Sequence, residues 1–205
     1  MNGWTRLAGP AAPLPADDVD TDVIFPARYL LLLEKQGLGR FLFHGHRFAP
    51  DGSAKPDFVL NRPSYDAARF LVAGANFGSG SSREQAVWAL ADFGIRCVIA
   101  RSFGEIFAAN CAKNGVLALP LAEADHARVM AAAQAGDALA VDLASQTLMC
   151  RDASLPIVVT PRVRRALIEG LDEIGTTEAD DMADIERFEA ARRSRCPWLF
   201  ADAQP

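Results

Sequence analysis

The stretch that decides the fold runs Phe70-Leu71-Val72-Ala73-Gly74-Ala75-Asn76-Phe77-Gly78-Ser79-Gly80-Ser81-Ser82-Arg83-Glu84-Gln85-Ala86-Val87-Trp88-Ala89-Leu90-Ala91-Asp92-Phe93-Gly94. Its first four residues form a short, wholly apolar run, as a strand buried on both faces does. A glycine- and serine-rich loop follows. Apolar residues then recur at Ala86, Val87, Leu90 and Phe93, the period of a helix over 82–93, and Gly94 stops it.

The same alternation continues outward. Residues 95–100 read as a strand, 102–113 as a helix ended by Asn114-Gly115, 116–121 as a strand and 123–135 as a helix ended by Gly136. Ser102 and Glu105 are spaced as a capping box. Three short runs, 138–143, 147–150 and 155–160, predict a β-rich closing section, and helices are expected over 161–171 and 180–195. On the N-terminal side, 1–16 reads as a strand or arm, 17–22 as an acidic cluster, 27–36 as a helix stopped by Gly37, and 49–63 as loop. Strand–helix–strand–helix–strand flanked by β on both sides predicts an α/β protein with a mixed sheet flanked by helices. At 205 residues it is expected to be one domain over 1–205, with 161–205 as a helical C-terminal extension.

Bulk composition narrows the function. The net charge of -5 opposes a nucleic-acid partner, which needs a basic field. No apolar stretch is long enough for a membrane span or a secretory signal, so a cytoplasmic setting is expected. The four cysteines, Cys97, Cys111, Cys150 and Cys196, are far apart and form no C-x-x-C pair. That argues against a metal or cluster site in this chain and for free buried thiols.

The loop 76–84 lies where a strand hands over to a helix. A helix N-terminus presents unpaired N–H groups and a partial positive charge, which suits an anion. Gly78 and Gly80 allow the backbone to approach a ligand. Arg83 matches a planar carboxylate with two parallel hydrogen bonds. The bland alternative is capping: Ser81 with Glu84, or Ser82 with Gln85, fits S-x-x-E/Q and would stabilise the helix by ~1 kcal/mol without any function. Capping accounts for one serine, not for two serines, two glycines and an arginine. The dinucleotide fingerprint fails because Arg83 stands where its third glycine belongs. The P-loop lacks its Gly-Lys-Ser/Thr ending, and Gly78 and Gly80 flank Ser79 too closely for a nucleophile elbow. Asp18, Asp20 and Asp22 resemble the start of a calcium loop, but Val23 and Tyr29 occupy its obligatory glycine and glutamate positions.

Asn76 to Leu90 closely resembles the signature of the small subunit of 3-isopropylmalate dehydratase, within the aconitase superfamily. Asp20-Thr21-Asp22-Val23-Ile24-Phe25-Pro26 is similar to that family's N-terminal motif. Ser102-Phe103-Gly104-Glu105-Ile106-Phe107, Asn110 and Lys113-Asn114-Gly115 resemble the segment after the signature. Gly170 to Gly175 and Pro197-Trp198-Leu199 resemble its C-terminal end. The resemblance implies a swivelling β/β/α domain that works with a large subunit, as heterodimer or heterotetramer, the partner holding a [4Fe-4S] cluster. It implies dehydration and rehydration of a small dicarboxylic acid. Ser81 would take a proton from carbon, Arg83 would bind a carboxylate, and Ser82, Asp22, Arg28 and Gly80 would line the substrate.

Ser79, Gln85 and Val87 depart from the family's usual cysteine, histidine and proline, and this keeps a paralogous hydro-lyase open (for a methyl-substituted malate or maleate, or homoaconitate). A non-catalytic anion-binding module is the reading of another class. Residues 28–33, Arg-Tyr-Leu-Leu-Leu-Leu, fall where relatives contact the substrate's variable group. Leu31 and Leu32 would suit a branched alkyl group; the alternative is a core helix face. His44 and His46 could share one face of a strand, with no third metal ligand in sight. Trp4, Trp88 and Trp198 read as packing anchors. A shared active site also predicts an exposed apolar patch for the partner.

Overall fold

The computed structural model describes residues 3–32 and 34–200. Seven strands form one mixed sheet in the order β4-β3-β2-β1-β5-β6-β7. They are β1 (Arg6–Leu14), β2 (Phe70–Ala73), β3 (Cys97–Ala100), β4 (Leu117–Pro120), β5 (Ala138–Asp142), β6 (Thr147–Cys150) and β7 (Ala153–Pro156). The helices are α1 (Thr21–Ile24), α2 (His44–Arg47), α3 (Glu84–Phe93), α4 (Glu105–Lys113), α5 (Glu123–Gln134), α6 (Pro161–Glu169) and α7 (Glu173–Arg195).

β1 joins two kinds of pairing. Its second half, Ala11 to Leu14, runs parallel to β2, and β3 and β4 continue the parallel side. Its first half, Arg6 to Pro10, is antiparallel to β5, and β6 and β7 complete that side as a meander. The parallel strands need helical crossovers, and α3 and α4 supply them.

Period-two alternation sorts the parallel strands into two cores. Leu71, Ala73, Val98 and Ala100 face one core with Ala86, Val87, Ala89 and Leu90 of α3 and Phe107 and Cys111 of α4. Phe70, Val72, Cys97 and Ile99 face the other, with Val129, Ala132 and Ala133 of α5 and Leu167 of α6. Helices therefore cover both faces, which is why these strands are apolar without a break. α7 buries none of its residues. Asp172 caps it by accepting from Gly175 N at 2.8 Å, and ion pairs Lys113–Glu173 (2.9 Å) and Arg165–Asp180 (2.5 Å) tie it down.

Four local expectations are corrected. The described residues of 27–36 form no α-helix: one 3-10 turn, Ala27–Tyr29, is followed by a turn at 30–31 and irregular chain. Tyr29 stacks on Phe41 with ring centroids 4.2 Å apart, which holds the chain in that turn. Leu31 is 91% exposed, so the core-face reading fails for it; Leu33 lies outside the described residues. His44 and His46 sit on the single turn α2, not a strand, because Phe43 takes a left-handed conformation (φ 50°) and redirects the chain. The capping box at Ser102 does not form, since Gly104 is the N-cap and Ser102 Oγ accepts from Asn76 N at 2.8 Å instead.

Candidate active site

The loop after β2 is fixed residue by residue. His126, buried on α5, donates from Nε2 to the Ala73 carbonyl at 2.6 Å, since a carbonyl can only accept. Gly74 N donates to Ala16 O, and a Cβ on Gly74 would lie 2.1 Å from Asp17 Oδ1. Ala75 N donates to that same Asp17 Oδ1 at 2.7 Å. Arg101 pairs with both Asp17 oxygens, at 2.6 and 2.7 Å, and this holds the Asp17 carboxyl below the usual range. Asn76, left-handed at φ 54°, donates from Nδ2 to Asp18 Oδ1.

Phe77 then plunges into the core against Phe107 (5.4 Å) and Phe103 (6.5 Å). Gly78 crosses directly over Phe107: a Cβ there would meet the ring's Cγ at 2.2 Å. Gly78 N donates to Val19 O at 2.7 Å, and Thr21 N to Ser79 O at 2.9 Å. Thr21, nearly inaccessible, donates its hydroxyl to Ser81 O at 2.9 Å. The acidic segment 17–22 is thus the second wall of the loop. Its Asp20 caps α1 through Val23 N, and Asp20 bridges to Ser79.

These ties hold the loop out of helical conformation, with Gly80 left-handed (φ 89°) and Arg83 extended as the N-cap, so α3 begins only at Glu84. Neither serine capping box forms. Ser81 and Ser82 are exposed instead, just ahead of the helix N-terminus. Arg83 is the opposite: its side chain is 13% exposed and makes an ion pair with Asp22. Arg83 Nη1 is enclosed, and among the described residues its partner is the Asp22 carboxylate. The guanidinium holds the Asp22 carboxyl below the usual carboxylate range, and Ala27 N, donating to Asp22 Oδ1 at 3.2 Å, adds to it.

The structure therefore brings Ser81, Ser82, Arg83, Gly80 and Asp22 together. Gly80 lies open, with Asp20 Cβ 3.6 Å from where its own Cβ would be. Arg28 points elsewhere: it donates to His44 Nδ1 at 2.8 Å and covers the Tyr29 ring at 4.8 Å. Since arginine only donates, His44 is neutral there, and burial and the charges of Arg28 and Arg47 push its pKa down. Leu31 and Leu32 stand exposed on the next segment. Val87 is fully buried, while Ser79 and Gln85 are partly covered. Sequence reasoning missed Thr21 as a clamp on the Ser81 backbone; its place between Asp20 and Asp22 was the only signal.

A serine–serine–arginine loop ahead of a helix N-terminus, paired with an aspartate from the neighbouring segment, has the chemistry to receive a small anion, and the family match places it in an aconitase-type domain. The pattern described as the aconitase C-terminal domain matches residues 1–124, and the pattern for the C-terminal domain of the 3-isopropylmalate dehydratase small subunit matches 181–202. The 3-isopropylmalate dehydratase small subunit of Paramagnetospirillum magneticum is 47% identical over 203 residues, covering 97% of this chain and 100% of that one. That of Rhodopseudomonas palustris (strain BisA53) is 46% identical over 201 residues, covering 97% and 100%. The crystal structure of 3-isopropylmalate dehydratase (leuD) from Methanocaldococcus jannaschii superposes with a TM-score of 0.65 at 27% identity, covering 89% of this chain and 99% of that one. The chain belongs to the family of 3-isopropylmalate dehydratase small subunits, in the aconitase superfamily. It is accordingly the small subunit of a hydro-lyase.

Proposed function

We propose that this chain, paired with a large subunit, interconverts 2-isopropylmalate and 3-isopropylmalate by losing and re-adding water, in the cytoplasm, as a step of leucine biosynthesis. The relatives' shared name supports that substrate over the methyl-substituted diacids and homoaconitate. Membership of the aconitase superfamily brings an iron–sulfur cluster into the reaction. The residues of this chain do not fit that group. Among the described residues no three His, Cys, Asp or Glu side chains converge. Cys97 and Cys111 are fully buried, and burial pushes both thiols up, away from the thiolate a cluster needs. On this reading the large subunit holds the [4Fe-4S] cluster, which would supply Lewis-acid chemistry at the substrate hydroxyl.

This chain supplies the carboxylate site and the proton acceptor. Arg83 pairs with a substrate carboxylate, and its largely enclosed guanidinium, anchored by Asp22 beside the two exposed serine hydroxyls, supports that role most directly. Ser82 offers a hydroxyl beside it, and the bare backbone at Gly80 leaves room for the ligand. Asp22 stays ionised and keeps the guanidinium in place. Ser81 takes the proton from the carbon next to the leaving hydroxyl and returns it when water re-adds. A serine hydroxyl is a weak base, so its negative form must be stabilised. The α3 N-terminus and Arg83 are both suited to that. Leu31 and Leu32, outside the core, meet the isopropyl group and contribute the apolar surface presented to the partner, to which Ile106 at the start of α4 adds.

The experiment is Ser81→Ala, co-expressed anaerobically with the large subunit and loaded with cluster. Turnover of isopropylmalate is expected to fall by roughly 10²–10⁴-fold, the range of a lost general base, while the two chains still assemble. Full turnover in that variant would rule out Ser81 as the base.

A further inference from the structure

Asn114 ends α4, outside the carboxylate site, yet four polar groups converge on its side chain. Oδ1 accepts from Trp88 Nε1 at 3.0 Å and from Lys35 Nζ at 3.1 Å. Nδ2 donates to Glu84 Oε1 at 2.7 Å and to Asn110 O at 2.9 Å. The chemistry of the partners fixes the amide's orientation: indole and ammonium only donate, carboxylate and carbonyl only accept. Only a side chain with two donors and an acceptor oxygen can serve all four. Aspartate, of the same shape, would keep the first pair, lose the second, and face Glu84 with a like charge.

The partners lead to both sides of the site. Glu84 is the first residue of α3 and follows Arg83 directly. Lys35 sits in the segment that carries Leu31 and Leu32, with its ammonium 4.9 Å from the Trp88 ring centre. That segment is anchored at its start by Tyr29 on Phe41, and at its end by Gly39 N donating to Asp92 Oδ2 of α3 at 2.7 Å. Between those anchors Gly37 is left-handed (φ 78°) with open space around it, and among the described residues Lys35 ties the middle of the segment to Asn114.

We propose that Asn114 is a positioning residue that couples the leucine segment to the arginine loop. It fixes the alkyl-binding side, through Lys35, against the carboxylate-binding side, through Glu84. The proposal rests on the reading that Arg83 and the leucines meet opposite ends of one substrate.

The test uses the full chain, alone and assembled with its large subunit, with Asn114→Asp, Lys35→Met and, as control, Arg83→Lys. Amide hydrogen exchange is read first. Lys35→Met, an exposed change that leaves the fold intact, is expected to raise exchange in residues 30–37 about threefold, as loss of an exposed ion contact allows. Asn114→Asp is expected to raise it in 30–37 and in 81–85 together, by about tenfold. In the assembled enzyme Asn114→Asp then raises KM for isopropylmalate more than it lowers kcat. Lys35→Met narrows the preference for isopropylmalate over a methyl-substituted malate. Unchanged exchange in 30–37 in both variants overturns the coupling. An unmoved KM in Asn114→Asp overturns the positioning role, and Arg83→Lys then tells why: a raised KM there releases Asn114 alone, whereas an unmoved one brings down the reading of the site.

Discussion

Replacing Gly78 with alanine should separate two costs that the loop geometry keeps distinct. Gly78 has φ 74°, where an L side chain costs roughly 1–2 kcal/mol. The new methyl would also lie 2.2 Å from Phe107 Cγ, far inside contact distance. Phe107 is 2% exposed and wedged against Phe77 and Phe103, so the ring has nowhere to retreat. Overpacking of that kind costs roughly 1–3 kcal/mol. Together the two come to about 2–5 kcal/mol, and at about 2–4 °C per kcal/mol for a chain of this size the midpoint should drop by roughly 4–20 °C. Gly80→Ala is the control. It has a similar backbone angle, φ 89°, but its methyl meets nothing closer than 3.6 Å. Only the backbone cost of roughly 1–2 kcal/mol remains. Thermal unfolding of the full chain by circular dichroism, with urea midpoints as a second measure, gives both numbers. Equal losses in the two variants would refute the claim that Gly78 is required by Phe107 rather than by its φ alone.

Two further outcomes follow from the charges around the loop. Asp22→Asn should lower kcat/KM of the assembled enzyme by roughly tenfold or more, because a charge-assisted contact that orients Arg83 is lost. The melting temperature should barely move, since the Asp22 side chain is half exposed; a large drop in Tm would make the pair structural instead. Whatever stability the Asp22 pair contributes is present above the ordinary carboxylate pKa and disappears only as pH falls through its lowered native value. The other outcome concerns His44, whose pKa is lowered from 6.5. The folded chain then binds fewer protons than the unfolded one. This contribution to stability is complete above pH 6.5 and is lost as pH falls through the native value, together with the Arg28 contact that needs a neutral acceptor. An NMR titration placing His44 above 6.5 would contradict this.

The parts of the fold that were legible in sequence were those where one physical signal stood alone. Short apolar runs read as buried strands, and β2 and β3 are buried on both faces, while β4, at the sheet edge, is buried only in part. The helices α3, α4 and α5 carried their own period and their own stops. Residues 27–36 failed because apolar content without a face is ambiguous: Leu31 and Leu32 stand exposed, Leu30 alone of the described leucines packs on the core, and a stacked tyrosine decided the turn. His44 and His46 failed because a single left-handed phenylalanine, invisible in composition, set the direction of the chain.

The site itself shows why the capping reading looked sound and was wrong. S-x-x-E is a local signal, and local signals win only when nothing distant competes. Here Val19, Thr21 and Asp20 claim the backbone of residues 78–81, some 60 positions away in sequence, and keep it out of a helix past the point where the serines could cap one. The two serines are thereby left unspent ahead of the helix, and Arg83 is turned inward onto Asp22. A capped helix would have consumed one hydroxyl and bound no ligand with it. An uncapped N-terminus with two exposed hydroxyls and an enclosed guanidinium gives up some helix stability, roughly 1 kcal/mol, and leaves those groups free for the anion proposed above. That exchange is the mark of a functional loop, and only the long-range ties, not the spacing, reveal it.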